Sequence, residues 1–538
     1  MSAPERRRVV VVGGGVAGLA TAALLARDGH DVELLEKNDR PGGRAGSWER
    51  DGFRFDTGPS WWLMPEVFDH FFRLLGTSTA EQLDLRTLDP GYRVFFEGHA
   101  DPLDVAQDVA ANRALFESVE PGAGARLDDY LRSAREVYDL AVDRFLYTSF
   151  DSAAALAGRR TVANAPRLAG LLTRSLETHV AARFSDRRLQ QVLGYPAVFL
   201  GSAPDRAPAM YHLMSALDLA DGVRYPDGGF TRLVDALASL AVDHGVTIRT
   251  GATATAIETA RTGALRPGRA RAAVTGVRFR DEQGEQVLYA DAVVGAADLH
   301  HVETTLLPRA LQTFPQRWWD RAVAGPGAML AYLGVRGALP TLAHHSLFFT
   351  EDWTANFDAV FDAPTRVPDP ASFYVCRPSA TDPSVAPAGH ENLFVLVPVP
   401  ADPGLGAGGI DGAGDPAVEE AVDRAIAVIA ERAGAPDLAE RIVVRRTVGP
   451  ADFVADVNSW SGSALGPAHV LRQSAFFRAG NASRRVEGLY YAGSSTVPGI
   501  GLPMCLISAE LVLKRFRGDR SVGPTPEPPM LTTAGLPA

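Results

Sequence analysis

The sequence predicts an α/β fold, and residues 9–46 carry the observations behind that prediction. Val9 to Gly13 begin a continuously apolar strand, and an apolar helix follows to about Arg27. A second apolar strand then ends on Glu36. A buried strand, a helix and another buried strand in this order are typical of a parallel sheet with helices on its faces. We therefore expect a Rossmann-like domain, combined with a discontinuous mixed α+β domain farther along the chain.

Three glycines between the first strand and the helix have the G-x-G-x-x-G spacing: Gly13, Gly15 and Gly18. The first permits a tight turn, the second lets backbone approach a pyrophosphate, and the third lets the helix pack on the strand. The free N–H groups at the helix N-terminus favour phosphate. Glu36 follows at about the distance where a ribose-binding carboxylate is expected. The segment therefore predicts a dinucleotide site.

The same N-terminal segment has an alternative interpretation as a secretion signal. Basic residues Arg6 to Arg8 precede an apolar run from Val9 to Ala26, which approaches the length of a membrane span. However, the three glycines lie inside that run, no A-x-A cleavage site follows, and the next strand continues the nucleotide-binding unit. We therefore favour the dinucleotide site.

The residues after the second strand indicate which dinucleotide is bound. Gly42, Gly43 and Arg44 begin a G-G-R-x-x-S segment, which is similar to that of flavoproteins with two dinucleotide-binding motifs. It resembles the superfamily of FAD-binding amine oxidases and carotenoid desaturases. Arginine is a permanent cation that can face a pyrophosphate, although a solvated loop arginine is the simpler alternative. The resemblance implies FAD as the cofactor, with Gly43 and Arg44 among its ligands.

Composition excludes several classes of function. The chain has 538 residues and a net charge of −11, which argues against a nucleic-acid partner. Its two cysteines, Cys376 and Cys505, are far apart, so a disulfide framework and a C-x-x-C metal site are excluded and a reducing cytoplasm is expected. Outside the fingerprint we find no apolar span of about 20 residues, so we expect membrane contact to be peripheral.

Residues 53–76 follow the G-G-R segment and read as a strand, a Gly-Pro turn and an amphipathic helix. In flavoproteins of this type the D-x-G-P-S segment passes close to the isoalloxazine ring. The resemblance therefore implies Gly58 and Ser60 as flavin neighbours. Residues 84–105 alternate polar and apolar side chains, which predicts further strands.

The middle of the chain divides into two kinds of segment. Residues 107–224 are mostly helical by periodicity, and their apolar helices could line a tunnel, rest on a bilayer or form a plain core. Residues 225–300 return to the nucleotide-binding unit. In the family, Ala254 falls where backbone contacts adenine, and Ala296-Ala297-Asp298 resembles an N-A-D segment, which makes Asp298 a further cofactor candidate.

These segments lead to the following expected organisation. An FAD-binding domain comprises 1–106, 225–300 and 481–516. A substrate domain that faces the membrane comprises 107–224 and 301–480, and a Pro-rich disordered tail comprises 517–538.

His344 and His345 are the first residues to test for a metal site. They have no acidic or cysteine neighbour at metal-ligand spacing along the chain. We therefore expect a structural role for both and no metal ion.

A second Gly-rich strand-to-helix turn lies near the C-terminus. The strand at 488–493 meets a Gly/Pro loop, and a helix begins at about Leu502. Such a turn aims N–H groups at an electron-rich group. In flavoproteins that group is the N1–C2=O side of the flavin, which implies a binding role for four residues: Gly493, Ser494, Gly501 and Met504.

Three further segments specify the family more narrowly. They are T-x-P-G-x-G-x-P at 496–503, Q-S-A-x-F-R at 473–478 and D-P-S-V-A-P-x-G-H-E-N at 382–392. Together they resemble the FAD-dependent phytoene desaturases of bacteria and fungi, over nearly the whole length to about residue 516. Two departures are Val497, where the family often has His, and Ala296, where it has Asn. They hint at a subgroup.

This resemblance implies stepwise desaturation of phytoene through to lycopene, with oxygen or a quinone as the terminal electron acceptor. The substrate is a long apolar isoprenoid, and the protein is expected in the cytoplasm, peripherally bound to a membrane. The family's Asp/Arg pair points to Asp151 as an acid/base residue. Ala154 stands where the arginine would be, and Asp151 could instead cap a helix.

Other functions on the same scaffold remain open. They include a later or C30 carotenoid desaturase, a carotenoid oxidase, an amine oxidase and a non-enzymatic prenyl-lipid-binding protein. The segment at 492–496 reads A-G-S-S-T, whereas amine oxidases usually have A-G-E-x-T, which disfavours amine oxidation. The complete glycine fingerprint with Arg44 disfavours the lipid-binding alternative, because those proteins lack a working flavin site.

Overall fold

A computed structural model describes residues 6–150, 165–262, 272–362 and 365–529. Its strands are β1 (Arg8–Val12), β2 (Asp31–Leu35), β3 (Ser47–Arg50), β4 (Phe53–Asp56), β5 (Leu85–Thr87), β6 (Tyr92–Phe96), β7 (Leu103–Val105), β8 (Arg224–Pro226), β9 (Thr247–Arg249), β10 (Thr253–Arg261), β11 (Ala272–Asp281), β12 (Gly284–Tyr289), β13 (Ala292–Gly295), β14 (Gly327–Arg336), β15 (His345–Phe349), β16 (Phe373–Cys376), β17 (His390–Val399), β18 (Ile442–Val448), β19 (Val486–Glu487) and β20 (Leu489–Tyr491).

The α-helices lie between and around these strands. They are α1 (Val16–Arg27), α2 (Pro65–Leu74), α3 (Thr79–Gln82), α4 (Val109–Val119), α5 (Ala123–Ala141), α6 (Ala165–Thr173), α7 (Leu176–Ala181), α8 (Arg187–Gly194), α9 (Pro196–Phe199), α10 (Met214–Leu219), α11 (Thr231–Asp243), α12 (Leu299–Thr304), α13 (Gln316–Trp319), α14 (Trp353–Phe361), α15 (Pro416–Arg432), α16 (Leu438–Arg441), α17 (Pro450–Val457) and α18 (Leu502–Phe516).

The nucleotide-binding sheet confirms the predicted α/β fold. Its five strands run parallel in the order β20–β13–β1–β2–β9. Val11 at the centre of β1 pairs with Val294 on one side and Leu34 on the other, and all three side chains are buried. Both faces of β1 are covered, which explains why its sequence is continuously apolar rather than alternating. Helix α1 packs against α18, so the two ends of the chain meet here.

A smaller sheet joins β10, β11 and β12 by antiparallel pairing, and β19 adds to β11 in parallel. Its buried side chains, among them Val277 and Phe279, share a core with Val10 and Val12 of β1. The small sheet thus shares a core with one face of the nucleotide-binding sheet.

The largest sheet has seven strands in the order β18–β14–β17–β16–β15–β6–β7. Helix α15 covers one face, where Val418 and Val422 pack on Val395 and Val397 of β17. Here the structure differs from the expected domain boundary, because β6 and β7 were assigned to the FAD-binding domain through residue 106. Strand β6 instead pairs in parallel with β15. Apolar side chains drive this pairing, since the rings of Phe95 and Phe348 stack 4.7 Å apart.

The segment after residue 516 also departs from the expected disorder over 517–538. Residues 517–529 pack against the fold, where their backbone groups bond buried charged side chains of α18. The ammonium of Lys514 donates to the carbonyl of Gly523 at 2.6 Å, and Glu510 accepts from the backbone N–H of Thr525. A buried charge is costly unless it is paired, and the tail provides these partners. Residues 530–538 lie outside the described chain.

Residues 107–224 are largely helical where the structure describes them, as predicted. None of the helices in the described ranges is both long and apolar enough to cross a lipid bilayer.

Candidate functional site

One large cavity is lined by residues from the N-terminal, middle and C-terminal parts of the chain. Its volume is about 760 Å³, and residues of both the five-stranded and the seven-stranded sheet line it. Thirteen of the fourteen predicted cofactor-binding residues line this cavity: Gly13, Gly15, Glu36, Gly43, Arg44, Gly58, Ser60, Ala254, Asp298, Gly493, Ser494, Gly501 and Met504. Segments that are hundreds of residues apart in sequence therefore converge on one site.

The glycine turn is built by close approaches that exclude any side chain. Gly13 has a φ of +107°, and a Cβ there would lie 2.7 Å from the backbone nitrogen of Ala297. A Cβ on Gly18 would lie 1.9 Å from the carbonyl oxygen of Gly13. Gly18 therefore lets α1 pack on β1 without lining the cavity, which is the role that the fingerprint predicts. Gly15, by contrast, has no atom nearer than 3.9 Å to a built Cβ, so its backbone is open to a ligand.

Glu36 is buried at the end of β2 and is anchored by backbone. Its carboxylate accepts from the N–H of Gly14 at 2.7 Å and from the N–H of Asn38 at 2.9 Å. Each carboxylate oxygen has a second lone pair, so both can still accept from hydroxyl groups in the cavity. This arrangement suits the recognition of a ribose diol.

Arg44 and Asp298 form a polar corner of the cavity. The Arg44 guanidinium donates to the hydroxyl of Ser459 at 3.0 Å, and it lies 3.6 Å from the Asp298 carboxylate. Asp298 also caps α12 by accepting from the N–H of His300. Among the described residues, neither Arg44 Nε nor Asp298 Oδ2 has a hydrogen-bond partner, although both atoms are buried. Buried polar atoms normally have partners, so these two fit a polar ligand such as a dinucleotide.

A close approach also fixes the backbone at Gly58, just before Trp61. We call Trp61 and Tyr374, with the His345 ring behind them, the Trp61 wall of the cavity. A Cβ on Gly58 would lie 2.1 Å from the carbonyl oxygen of Arg44, so only glycine fits there. Two residues later, the hydroxyl of Ser60 bonds that of Tyr374 at 2.8 Å, and the Tyr374 hydroxyl bonds Nδ1 of His345 at 2.7 Å. Trp61 stacks on the His345 ring with a centroid separation of 4.5 Å. Sequence reasoning found Ser60 but missed Tyr374, whose contacts depend on the pairing of distant strands.

A buried arginine supports the C-terminal glycine loop from behind. Arg478 is the last residue of the Q-S-A-x-F-R segment, and its guanidinium donates to the carbonyls of Thr496 at 3.0 Å and of Ser494. Burial lowers the pKa of Arg478 to about 10, so it remains a cation at neutral pH. The motif identified this residue, but its role became visible only in the fold.

His469 holds the C-terminal part of the same loop, at Ile500. Its Nε2 accepts from the backbone N–H of Ile500 at 3.1 Å, and its Nδ1 bonds the hydroxyl of Tyr211 at 2.8 Å. Burial lowers the pKa of His469 well below its usual value, so the ring is neutral. Helix α18 begins directly after this loop, and its first residues line one end of the cavity together with Gly501. The backbone N–H groups of its first turn, which have no partner within the helix, therefore lie at that end.

The rest of the cavity is mainly apolar. Aromatic and aliphatic side chains line it, including Phe150, Phe199, Leu213, Met214, Phe357 and Phe477. Near Phe150 the lining reaches the surface, where Phe476 is 45% exposed and Phe477 is 65% exposed. The cavity thus combines a polar end that suits a dinucleotide with an apolar passage. Asp151, the predicted acid/base residue, lies outside the described residues, and its role stays a prediction.

Comparison with known proteins agrees with this arrangement. The model of the family described as flavin containing amine oxidoreductase matches residues 16–512. The carotenoid 3,4-desaturase of Haloarcula japonica is 42% identical over 93% of this chain and 96% of its own length. The zeta-carotene-forming phytoene desaturase of Myxococcus xanthus is 38% identical over 95% of this chain and 94% of its own length.

A solved structure supports the fold alone. An oxidoreductase from Methanosarcina mazei superposes with a TM-score of 0.58 at 16% sequence identity, and the match covers 94% of this chain and 100% of that one.

Proposed function

The chain belongs to the flavin-containing amine oxidoreductase family and is an FAD-dependent oxidoreductase, and on this basis we propose that it desaturates a carotenoid. The observation that carries the proposal is the continuity of the cavity. The same cavity is lined by the dinucleotide-binding residues and by an apolar passage that opens near Phe476 and Phe477. A long hydrocarbon that enters there would reach the flavin end without crossing a polar surface.

When bound, FAD supplies the hydride acceptor that amino-acid side chains cannot provide. The protein must hold one carbon–hydrogen bond of the substrate in place and keep water away from it. Rigid aromatic side chains suit both tasks. Trp61 packs among Tyr195, Phe199 and His345 with centroid separations of 6.1, 5.3 and 4.5 Å, which leaves its ring little freedom to move.

Desaturation also releases a proton from the neighbouring carbon. Asp151 is the acceptor that the family resemblance implies. We add the hydroxyl of Tyr374 as a candidate relay, because it lines the cavity and bonds the hydroxyl of Ser60 at 2.8 Å. In that step the Tyr374 oxygen would take the substrate proton while its own proton moves to the Ser60 oxygen. The neutral His345 ring would donate its Nδ1–H to the Tyr374 oxygen, because burial lowers its pKa well below the usual value. The protein then has to return that proton to solvent before the next turnover.

Positive charge is concentrated at the C-terminal loop. Arg478 is a buried cation, and the N-terminus of α18 adds the partial charge of unpaired N–H groups. Both favour negative charge at this end of the cavity. We propose that residues 481–516 place this positive potential beside the reacting ring, while 107–224 and 301–480 provide the substrate passage.

Two substrates deserve direct comparison. The first is phytoene, which relatives named phytoene desaturase support as a substrate at 32–38% identity. We propose that its stepwise desaturation leads to lycopene, although the Myxococcus xanthus relative is named zeta-carotene-forming. The second is the end group of a later carotenoid, which the 42% identity to a carotenoid 3,4-desaturase favours. The exposed Phe476 and Phe477 at the cavity mouth further support docking on a membrane, where such substrates dissolve.

Expression in pigment-engineered bacteria separates these possibilities. One strain accumulates phytoene, a second lycopene, and a third the C30 analogue of phytoene. Coloured products in the first strain, resolved by chromatography, support phytoene desaturation. New products with a longer conjugated system in the second strain alone support 3,4-desaturation. Unchanged pigments in all three strains, with FAD-loaded protein present, would overturn the proposal.

A further inference from the structure

Three buried side chains behind the Trp61 wall form a second, separate cluster. His345 is the first residue of β15, His344 immediately precedes that strand, and Cys376 is the last residue of β16. Antiparallel pairing sets His345 directly opposite Cys376. One ligand atom from each of the three residues lies within 4.8 Å of the other two. The sequence offered no cysteine at ligand spacing, because 30 residues separate the partners that the sheet brings together.

The hydrogen bonds of the two histidines leave one nitrogen of each ring free. Nδ1 of His344 bonds the hydroxyl of Thr381 at 2.8 Å, and Nδ1 of His345 bonds the hydroxyl of Tyr374 at 2.7 Å. Neither Nε2 has a hydrogen-bond partner among the described residues, although both atoms are buried. An unpaired buried polar atom costs about 1–3 kcal/mol. Two such atoms, in rings whose centroids lie 4.5 Å apart, therefore require an explanation.

A metal ion would satisfy both nitrogens at once. Histidines that bind metals usually have their other ring nitrogen fixed by a hydrogen bond, which orients the ring. Thr381 and Tyr374 do this here. The fully buried Cys376 thiol adds a soft ligand, and a set of two imidazoles and one thiolate suits Zn²⁺ or Cu⁺ and disfavours Mg²⁺ or Ca²⁺.

We propose that His344, His345 and Cys376 bind one thiophilic metal ion of the Zn²⁺ or Cu⁺ class through Nε2, Nε2 and Sγ. Binding replaces the thiol proton of Cys376 by the metal and releases one proton. Since burial raises the pKa of this thiol far above its usual value, the metal must supply the free energy of deprotonation. The buried carboxyl of Asp56 acts electrostatically on Cys376 and would offset part of the added positive charge.

The site has a consequence for the cavity. His345 stacks on Trp61 and bonds Tyr374, and both of these residues line the cavity. A metal bound to His345 and Cys376 therefore links β15 to β16, and it holds Trp61 and Tyr374 in place through their contacts with His345. Its role is positional and involves no change of oxidation state.

The test is the metal content of the FAD-loaded enzyme. The protein is expressed in zinc- or copper-supplemented medium and purified without a polyhistidine tag, and its metals are quantified against protein by mass spectrometry. We expect about one zinc or copper per chain. His344→Ala, His345→Ala and Cys376→Ser should each lose it, whereas the matched controls His390→Ala and Cys505→Ser should keep it.

X-ray absorption at the metal edge identifies the ligands in the wild-type protein, so the test does not depend on the variants being folded. The wild-type spectrum should contain one sulfur at about 2.3 Å and two imidazole nitrogens at about 2.0–2.1 Å. Wild-type enzyme without metal in either medium would overturn the proposal. Metal that persists in all three variants, or a spectrum without sulfur, would overturn it as well.

Discussion

His469 accepts a hydrogen bond at Nε2 from the backbone N–H of Ile500, at 3.1 Å, and so ties a buried ring to the loop that ends at Gly501. The contact is tight, because a Cβ on the adjacent Gly499 would lie 2.2 Å from the ring. The loop is thus held by side chains from outside the Rossmann-like unit. We therefore expect FAD binding at this loop to depend on side chains of the proposed substrate domain.

Replacing His469 by phenylalanine should weaken the loop. An aromatic ring is kept, although a larger one, and the N–H of Ile500 loses its acceptor, at a cost of about 1–3 kcal/mol. We expect FAD to dissociate at least tenfold more readily, as measured by fluorescence on dilution. Since the histidine is neutral, the effect should not vary between pH 6 and 8. Tyr211→Phe, which leaves the Nε2 contact intact, is the matched control, and equal losses in both variants would contradict this account.

Gly18→Ala should abolish FAD binding. Its methyl group would overlap the carbonyl oxygen of Gly13, which lies 1.9 Å from the built Cβ, so α1 must move away from β1. The purified variant should lack the flavin absorption band. Gly170→Ala in α6 is the control, because nothing lies within 4 Å of that position, and alanine there should stabilise the helix by about 0.5–1 kcal/mol. A yellow Gly18→Ala protein would refute this reading of the fingerprint.

Asp218 predicts a specific pH dependence of stability. Burial raises the pKa of its carboxyl to about 7, although Tyr195 and Tyr92 donate to it at 2.9 and 3.2 Å. In the unfolded chain the pKa of an aspartate is about 3.9. Between about pH 4 and pH 7 the folded state therefore binds one more proton than the unfolded state does. The stabilising contribution of Asp218 is therefore complete below about pH 4 and is lost as pH rises to about 7.

Asp218→Asn isolates this effect, because asparagine does not titrate. The free energy of unfolding of wild type relative to the variant should fall by about 1.4 kcal/mol per pH unit across that window and then level off. Urea unfolding at pH 5, 6, 7 and 8 measures it. Asp221→Asn is the control, since Asp221 is partly exposed beside Arg135. A constant difference at all four pH values would exclude the assignment.

Tyr374→Phe tests the proposed proton relay. The variant keeps the ring against Trp61 but removes the hydroxyl that bonds Ser60 and His345. We expect turnover to fall about 100-fold while FAD content and the apparent affinity for substrate stay close to wild type. Ser60→Ala should also lower turnover, because the Tyr374 proton would lose the hydroxyl that accepts it. Full turnover in Tyr374→Phe would leave Asp151 as the candidate acceptor.

The exposed cavity mouth predicts membrane binding. Phe476 and Phe477 are 45% and 65% exposed, and burying each ring in a bilayer interface should contribute about 1.5–3 kcal/mol. The Phe476→Ser/Phe477→Ser double variant should therefore bind lipid vesicles at least 100-fold less tightly in flotation assays, with FAD content unchanged. Tyr289→Ser removes an aromatic ring that is 71% exposed on β12 and should bind like wild type. Equal binding of both variants would contradict the prediction.

Local patterns were sufficient for the Rossmann-like unit. The glycine spacing, the apolar strands and Glu36 are contiguous in sequence, and their geometry follows from short-range sterics. The same holds for the turn at 493–501. The boundary at residue 106 was wrong for β6 and β7, because pairing with β15 depends on a strand about 250 residues away. The ordered part of the tail was missed for a similar reason, since Lys514 and Glu510 find partners only after α18 has packed.

The sequence by itself determined the dinucleotide fingerprint, the FAD-type segment at Arg44 and the family to which the chain belongs, because each rests on residues that act through their immediate neighbours. Tertiary structure alone decided which side chains meet: Arg478 with the carbonyls of the C-terminal loop, His469 with Ile500, and His345 with Cys376 and Tyr374. These contacts depend on strand pairing and burial across long sequence separations. No local pattern encodes such separations, because the free energy that fixes them comes from the packed core as a whole.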